Sequence, residues 1–134
     1  MTHFLYSDHF ELVWSPSSYL VQLKHTYEPT EMYGDNYGYL SSLNNSMVQH
    51  LNQKASYLTE LADLQDGDVV VDIGSNDCTF LKAFPSYTKR IGIDPTIKKF
   101  SHYYPEEIFY VADFFTKESY FSVESDETLT IVQI

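Results

Sequence analysis

The chain has 134 residues, the size of one ordinary domain. Its hydrophobic fraction of 43% is enough for a packed core and argues against an intrinsically disordered chain. The formal net charge of −11 disfavours nucleic acid and anionic membrane surfaces as partners, because both repel an acidic protein. The single cysteine excludes an internal disulfide framework and is typical of a reducing compartment, so we expect a cytoplasmic protein.

The N-terminal region, residues 1–36, shows neither helical nor strand periodicity over any long stretch. Its first residues lack the basic region and apolar run of a signal peptide, and no run in the chain approaches the length of a membrane span. Residues 10–14 and 19–23 have the composition of short strands, and Pro16 lies in the turn between them. This pattern predicts a hairpin or an extended arm.

One long helix is predicted from about Asn45 to Leu64. Asn44 or Asn45 suits the N-cap, and Gly67 offers the positive φ that often ends a helix. The apolar residues that recur at helical spacing are Met47, Leu51, Leu58, Leu61 and Ala62.

From residue 69 onward the pattern changes to alternating strands and helices. Strands are predicted at 69–73, 90–94, 108–113 and 128–134, and helices at 79–84, 95–100 and, more weakly, 117–121. Such alternation predicts an α/β, Rossmann-like half-domain with about four parallel strands, flanking helices and right-handed crossovers. Because the chain ends on an apolar strand that leaves an open edge, we expect it to be truncated.

Three of these strands end in a carboxylate, namely Asp72, Asp94 and Asp113. Ligands of open parallel sheets bind at the carboxyl ends of the strands. A carboxylate at position 94 can accept hydrogen bonds from both hydroxyls of a ribose. Alternatively, Asp94 caps the helix that begins at Pro95.

The turn after the first of these strands departs from a dinucleotide fingerprint. Asn76 and Cys78 follow Gly74 where a pyrophosphate-binding turn needs further glycines, which disfavours NAD and FAD. Asp72 and Asp77 add negative charge, which favours a cationic ligand. S-adenosylmethionine carries a sulfonium and an ammonium group and fits on charge grounds.

Two blocks of the sequence resemble the class I S-adenosylmethionine-dependent methyltransferases. They read Tyr-Gly-Tyr-x-Ser-Ser-Leu-Asn at 37–44 and Val-Asp-Ile-Gly-Ser-Asn-Asp-x-Thr at 71–79, and Gly-Ile-Asp-Pro follows at 92–95. More narrowly, they are similar to the branch that C-methylates nucleotide-linked keto-deoxysugars. The resemblance implies two parts: an arm, 1–36, left from a zinc-binding module, and a partial S-adenosylmethionine-binding domain, 37–134.

The resemblance also implies roles for individual residues. Tyr37 and Tyr39 are expected on the substrate side, near the methyl donor. The implied reaction transfers a methyl group to a carbon of a nucleotide-linked sugar, after a base has removed a proton next to a ketone. The residues expected to bind the cofactor, with Asp94 at the ribose and the last two at the adenine, are Asp72, Gly74, Ser75, Asn76, Asp77, Asp94, Asp113 and Phe114.

Four features depart from this branch. Ser15 and Ser18 stand where its members have zinc-binding cysteines, and because serine is a poor zinc ligand we expect no metal. Leu40 stands where the branch tends to have arginine. Cys78 replaces a glycine, so a positive φ there would cost stability. The later strands, the catalytic base and the sugar-binding domain would follow Ile134, so we expect the isolated chain to bind the cofactor without turnover.

Three alternatives stay open at this stage. A non-enzymatic remnant could bind a protein partner through the acidic surface and the edge at Thr128–Ile134. A methyltransferase of another branch, acting on a small molecule or a protein, would share the same cofactor motif. An NAD-linked sugar-modifying enzyme should have a second glycine at Asn76 or Cys78, and the sequence has none there.

Overall fold

The computed structural model describes residues 11–25, 28–33, 37–124 and 131–133. The chain forms two compact units, the first reaching Met32 and the second beginning at Tyr33. The boundary predicted at residue 36 lies outside the described residues.

The first unit contains a short antiparallel hairpin. Strands β1, Leu12–Trp14, and β2, Val21–Leu23, pair through a turn in which Ser15 N–H donates to the Leu20 carbonyl oxygen at 2.9 Å. A short helix, α1, follows at Pro29–Met32. The predicted hairpin is therefore confirmed, although residue 10 lies outside the described residues.

The second unit begins with the long helix α2, Asn45–Leu61. The side chain of Asn44 accepts hydrogen bonds from the backbone N–H groups of the first turn, so the predicted N-cap is confirmed. The helix ends earlier than predicted, because Asp63 and not Gly67 takes the left-handed conformation after it, with φ 50°. Gly67, at φ 87°, lies in the turn that leads to the sheet.

The sheet of the second unit is parallel. Its strand order is β5-β4-β3-β6, and every neighbouring pair is parallel. This α/β arrangement is compatible with a Rossmann-like fold, as predicted. Only residues 131–133 of the last predicted strand lie within the described residues. The strands are β3, Val69–Ile73, β4, Lys89–Ile93, β5, Phe109–Val111, and β6, Ile131–Gln133.

The helices between the strands are short. Helices α3, Ile97–Phe100, and α4, Lys117–Phe121, lie where the sequence predicts them. The helix predicted at 79–84 is wrong, since this stretch forms turns and one 3₁₀ turn at Leu81–Ala83. Pro85 explains the difference, because it forces the preceding residue into an extended conformation, seen here as ψ 153°. No helix of the described part is both long and apolar enough to cross a membrane.

Apolar residues cover both faces of the sheet. On one face Val70 and Leu81 pack in a cluster with Ala55 of α2, and on the other Val71 and Ile91 pack with residues of α4. Burial on both faces explains the unbroken run of valines in β3. The two layers fix the carboxyl ends of β3 and β4, where the candidate site lies.

Candidate functional site

A cavity of about 400 Å³ opens at the carboxyl ends of β3 and β4. This volume is within the range of ligand-binding pockets, about 300–1,000 Å³. An open parallel sheet binds its ligands at this position. The lining residues are Tyr33, Tyr37, Tyr39, Ser41, Ile73, Gly74, Asn76, Ile93, Asp94, Pro95, Phe114 and Phe115.

The turn after β3 forms one side of the cavity, and three of its residues have a positive φ. They are Gly74 at 82°, Asn76 at 49° and Cys78 at 66°. Glycine adopts this conformation freely and asparagine tolerates it, whereas cysteine has no such preference. The left-handed conformation costs an ordinary residue about 1–2 kcal/mol. Cys78, at a position where the resemblance leads us to expect glycine, therefore introduces strain into the turn.

The thiol of Cys78 is buried in the core cluster with Val70 and Leu81. Burial raises the pKa of this thiol to about 12, although the charges of Lys82 and Arg90 act in the opposite direction. A neutral, buried thiol is a packing group and not a nucleophile.

Asp94 connects the turn to β4. Its Oδ2 accepts a hydrogen bond from the Asn76 backbone N–H at 2.9 Å, and its Oδ1 accepts from the N–H and hydroxyl of Thr96 at 2.6 Å each. The capping alternative is not met as predicted, because α3 begins at Ile97 with Thr96 as its N-cap and no side chain caps it; Asp94 instead fixes the turn before the helix. Yet Asp94 also lines the cavity, and Oδ2 keeps a lone pair that can accept a hydrogen bond from a ligand.

Asp72 lies beside a second, smaller cavity of about 140 Å³, which Ser75 and Phe80 also line. Only 5% of Asp72 is exposed. Burial and, to a lesser extent, the charge of Asp94 raise the pKa of this carboxyl to about 7, while the charge of Lys54 acts in the opposite direction. The carboxyl is therefore partly protonated near neutral pH, and a nearby cation would favour its ionised form.

Ser75 belongs to a hydrogen-bonded group beneath the turn. Its Oγ lies 2.6 Å from the hydroxyl of Tyr104, which donates a bond of 3.3 Å to the carbonyl oxygen of Asn76. Burial raises the pKa of Tyr104, so the phenol stays protonated and can donate. Gly92 makes this arrangement possible, because a Cβ there would lie 2.6 Å from the Ser75 hydroxyl and 2.9 Å from that of Tyr104.

The side chains of Asn76 and Asp77 bind the chain's own backbone. The Asn76 amide accepts from Ser41 N–H at 3.2 Å and donates to the Tyr39 carbonyl oxygen at 3.0 Å. Asp77 accepts from the backbone N–H of Ser42 at 2.8 Å. Burial of Asp77 would raise its pKa, but its hydrogen bonds outweigh burial and lower it.

The two tyrosines of the first sequence block, Tyr37 and Tyr39, also line the cavity. Tyr37 packs against Tyr33 with ring centroids 5.5 Å apart, and its carbonyl oxygen accepts a bond of 3.0 Å from Lys99. Burial and the charge of Asp94 raise the pKa of Tyr37. Its hydroxyl is therefore a hydrogen-bond donor at neutral pH and not a base.

Phe114 lines the cavity with 36% of its surface exposed, so its ring is accessible to a ligand. Asp113 is exposed, and its carboxylate accepts a bond of 2.8 Å from the N–H of Phe114.

Of the predicted site residues, the structure therefore brings six to one cavity and two to its neighbour, whereas Asp77 and Asp113 line neither. Tyr33 and Phe115 also line the large cavity, and no motif indicates either of them. The six are Tyr37, Tyr39, Gly74, Asn76, Asp94 and Phe114. The two are Asp72 and Ser75.

Within the described residues, no group of three or more histidine, cysteine, aspartate or glutamate side chains is placed to hold a metal ion. Ser15 and Ser18 make hydrogen bonds inside the hairpin turn. The hydroxyl of Ser15 lies 3.2 Å from that of Ser17, and Ser18 Oγ accepts from Leu20 N–H at 3.4 Å.

Comparison with known proteins gives one relevant similarity. No family model matches the chain. The C-methyltransferase NovU of Streptomyces niveus is 36% identical over 78 residues, a match that covers 58% of this chain and 18% of that relative. The match covers less than a fifth of the relative's length, and it supports a methyltransferase relationship.

Proposed function

We propose that this chain forms the S-adenosylmethionine-binding part of a methyltransferase. The observation that carries the proposal is the cavity between the Gly74 turn on one side and Asp94 with Phe114 on the other. The similarity to a C-methyltransferase agrees with it. When bound, S-adenosylmethionine supplies an electrophilic methyl group on a positively charged sulfur.

The residues of the cavity match the three parts of this molecule. Asp94 Oδ2 retains an acceptor for a ribose hydroxyl. The exposed ring of Phe114 offers a surface on which adenine can stack. The methionine part carries positive charge, and the carboxyl of Asp72 lies beside the adjoining cavity, where such a charge would keep it ionised.

The same features argue against a dinucleotide. A pyrophosphate needs backbone N–H groups at close range and no neighbouring anions. Here the backbone N–H of Asn76 is already bound to Asp94, and the buried carboxyl of Asp72 lies close to the turn. A ligand without phosphates is therefore favoured.

For the substrate, we propose a nucleotide-linked keto-sugar that is methylated on carbon. This part rests on the resemblance of residues 37–44 to that branch and on the position of Tyr37 and Tyr39 at the cavity. The protonated hydroxyl of Tyr37 can orient a substrate by donating a hydrogen bond. We assign no residue to proton removal, and the expectation that the chain alone binds the donor without turnover stays a prediction.

Titration calorimetry with S-adenosylhomocysteine on the folded chain tests the cofactor proposal. We expect saturable binding that NAD does not reproduce. Phe114→Ala should weaken it about fivefold or more, since stacking of a base on an aromatic ring is worth about 1–3 kcal/mol. Tyr57→Ala is the matched control, because Tyr57 is an aromatic residue that lies 61% exposed on α2.

Absence of S-adenosylhomocysteine binding on folded protein would contradict the proposal. Concentration-dependent dimerisation without any affinity for this ligand would favour the alternative, a protein that binds a partner and is not an enzyme.

A further inference from the structure

Tyr37 and Tyr39 belong to a short segment, residues 37–43, that buries little apolar surface. Residues 37–40 form neither a helix nor a strand, Leu40 has an extended backbone, and a 3₁₀ turn follows at Ser41–Leu43. Tyr39 is 48% exposed and Leu43 is 75% exposed. Buried apolar area therefore contributes little to the placement of this segment, and polar contacts must set its position.

One polar contact comes from Lys99, which donates to the Tyr37 carbonyl oxygen at 3.0 Å, and the others come from two adjacent residues of the turn after β3. The amide of Asn76 makes two bonds in opposite senses, accepting from Ser41 N–H and donating to the Tyr39 carbonyl oxygen. The carboxylate of Asp77 accepts from Ser42 N–H. Three backbone groups of residues 39–42 are thus bound by side chains that lie 35 to 37 positions later in the sequence.

The chemistry of these contacts dictates which residue stands at each position. Position 76 needs a donor and an acceptor on one short side chain, and it also needs tolerance of φ 49°. Asparagine meets all three requirements. Position 77 needs an acceptor only, and its second oxygen is fixed by Thr79, whose N–H and hydroxyl donate at 3.2 and 2.6 Å. Asparagine at position 76 followed by aspartate at position 77 therefore matches the backbone donors and acceptor of residues 39–42.

We propose that Asn76 and Asp77 are positioning residues, which hold the backbone of residues 39–42 and so place Tyr37 and Tyr39 at the mouth of the cavity. Although Asn76 lines the cavity, both polar ends of its side chain are engaged by the protein. The Asp94 carboxylate accepts a hydrogen bond from the backbone N–H of Asn76. Consecutive hydrogen bonds therefore connect the end of β4, the turn after β3 and residues 39–42. The identity of the ligand in this inference rests on the proposed function.

The first test needs no ligand. In Asn76→Asp the new carboxylate can still accept from Ser41 N–H, but it cannot donate to the Tyr39 carbonyl oxygen and repels it instead. Because the segment loses its bond to the Tyr39 carbonyl oxygen, it should open more often, and site-resolved amide exchange by NMR should be about twofold to tenfold faster at Ser41 and Ser42 than in the wild type. Exchange in the core of β3 and β4, for example at Val71 and Ile91, should not change. Asn52→Asp, the same substitution at an exposed position of α2, is the control and should change neither region.

Two exchange results would overturn the inference. Unchanged exchange at Ser41 and Ser42 would show that Asn76 does not hold the segment. An equal increase at Val71 and Ile91 would show that the substitution lowers global stability and has no local positioning effect.

The second test is the affinity for S-adenosylhomocysteine. Asn76→Asp adds a negative charge close to a site for a cationic ligand, so electrostatics alone would tighten binding. Positioning predicts the opposite, a loss of about fivefold or more with the urea midpoint of unfolding unchanged. Tighter or equal binding by the variant would overturn the inference. If the wild type binds no S-adenosylhomocysteine, the proposed function fails, whereas the exchange experiment still decides the positioning role.

Discussion

The buried carboxyl of Asp72 makes the stability of the second unit depend on pH. Burial and the charge of Asp94 raise its pKa from 3.8 to about 7 in the folded protein. Between these two values the folded state binds more protons than the unfolded state, so the free energy of unfolding falls as pH rises. The favourable contribution of this group is complete below about pH 4 and is lost as pH rises through about 7.

The size of the effect follows from the shift. Each pKa unit corresponds to about 1.4 kcal/mol, so a shift of about three units gives an upper limit on the order of 4 kcal/mol. Asp72→Asn keeps the shape of the side chain and removes its ionisation. The variant should therefore gain stability relative to the wild type between pH 5 and pH 8, by up to about 3 kcal/mol.

Urea unfolding followed by far-ultraviolet circular dichroism at pH 5, 6, 7 and 8 measures this difference. Comparison across pH removes the constant cost of a buried amide. Asp66→Asn is the control, because Asp66 lies exposed in the turn after α2. The reasoning is refuted if the difference in unfolding free energy between Asp72→Asn and the wild type is the same at pH 5 and pH 8.

Two further predictions concern backbone positions around the site. Gly92→Ala should cost about 1–3 kcal/mol in urea unfolding, because its Cβ would lie 2.6 Å from the Ser75 hydroxyl, whereas the control Gly38→Ala has no atom within 4 Å and should cost much less. Equal costs would contradict the packing argument. Cys78→Gly should be more stable than Cys78→Ala by about 1 kcal/mol, because alanine keeps a Cβ at φ 66°; greater stability of the alanine variant would contradict the strain assigned there.

Local sequence patterns predict most of the fold. The valines at 69–71 place β3 within its observed bounds, and Asn44 marks the start of α2 correctly. Both features depend on residues adjacent in sequence, such as a β-branched run or a side chain that reaches the next turn. The helix predicted at 79–84 is wrong, because the few residues between the turn after β3 and Pro85 leave room only for a 3₁₀ turn.

The candidate site is less predictable, since its contacts join distant parts of the chain. The sequence places Asp94 at the end of a strand, but its bond to the N–H of Asn76 needs the folded turn. Tyr104 reads as a packing residue until the structure shows its hydroxyl 2.6 Å from Ser75 Oγ. The sequence does contain one signal for this contact, the glycine at position 92 inside β4, because a glycine in a strand often marks a place where another group approaches the backbone closely. No pattern among neighbouring residues in the sequence predicts the hydrogen bonds from Asn76 and Asp77 to residues 39–42.

The N-terminal arm is expected, from the resemblance, to derive from a zinc-binding module. The hairpin is present, and Ser15 and Ser18 make hydrogen bonds within its turn. Their origin as replaced zinc ligands stays a prediction, because it depends on a resemblance of sequence alone.

The central claim is that the cavity at the ends of β3 and β4 binds S-adenosylmethionine, and amide chemical-shift mapping tests it most directly. Titration of isotope-labelled chain with S-adenosylhomocysteine should shift the resonances of Gly74, Asn76, Asp94 and Phe114, which line the cavity. Amides on the far side of the second unit, such as Gln65 and Thr88, should not move. Absence of shifts on folded protein, or shifts confined to residues away from the cavity, would contradict the claim.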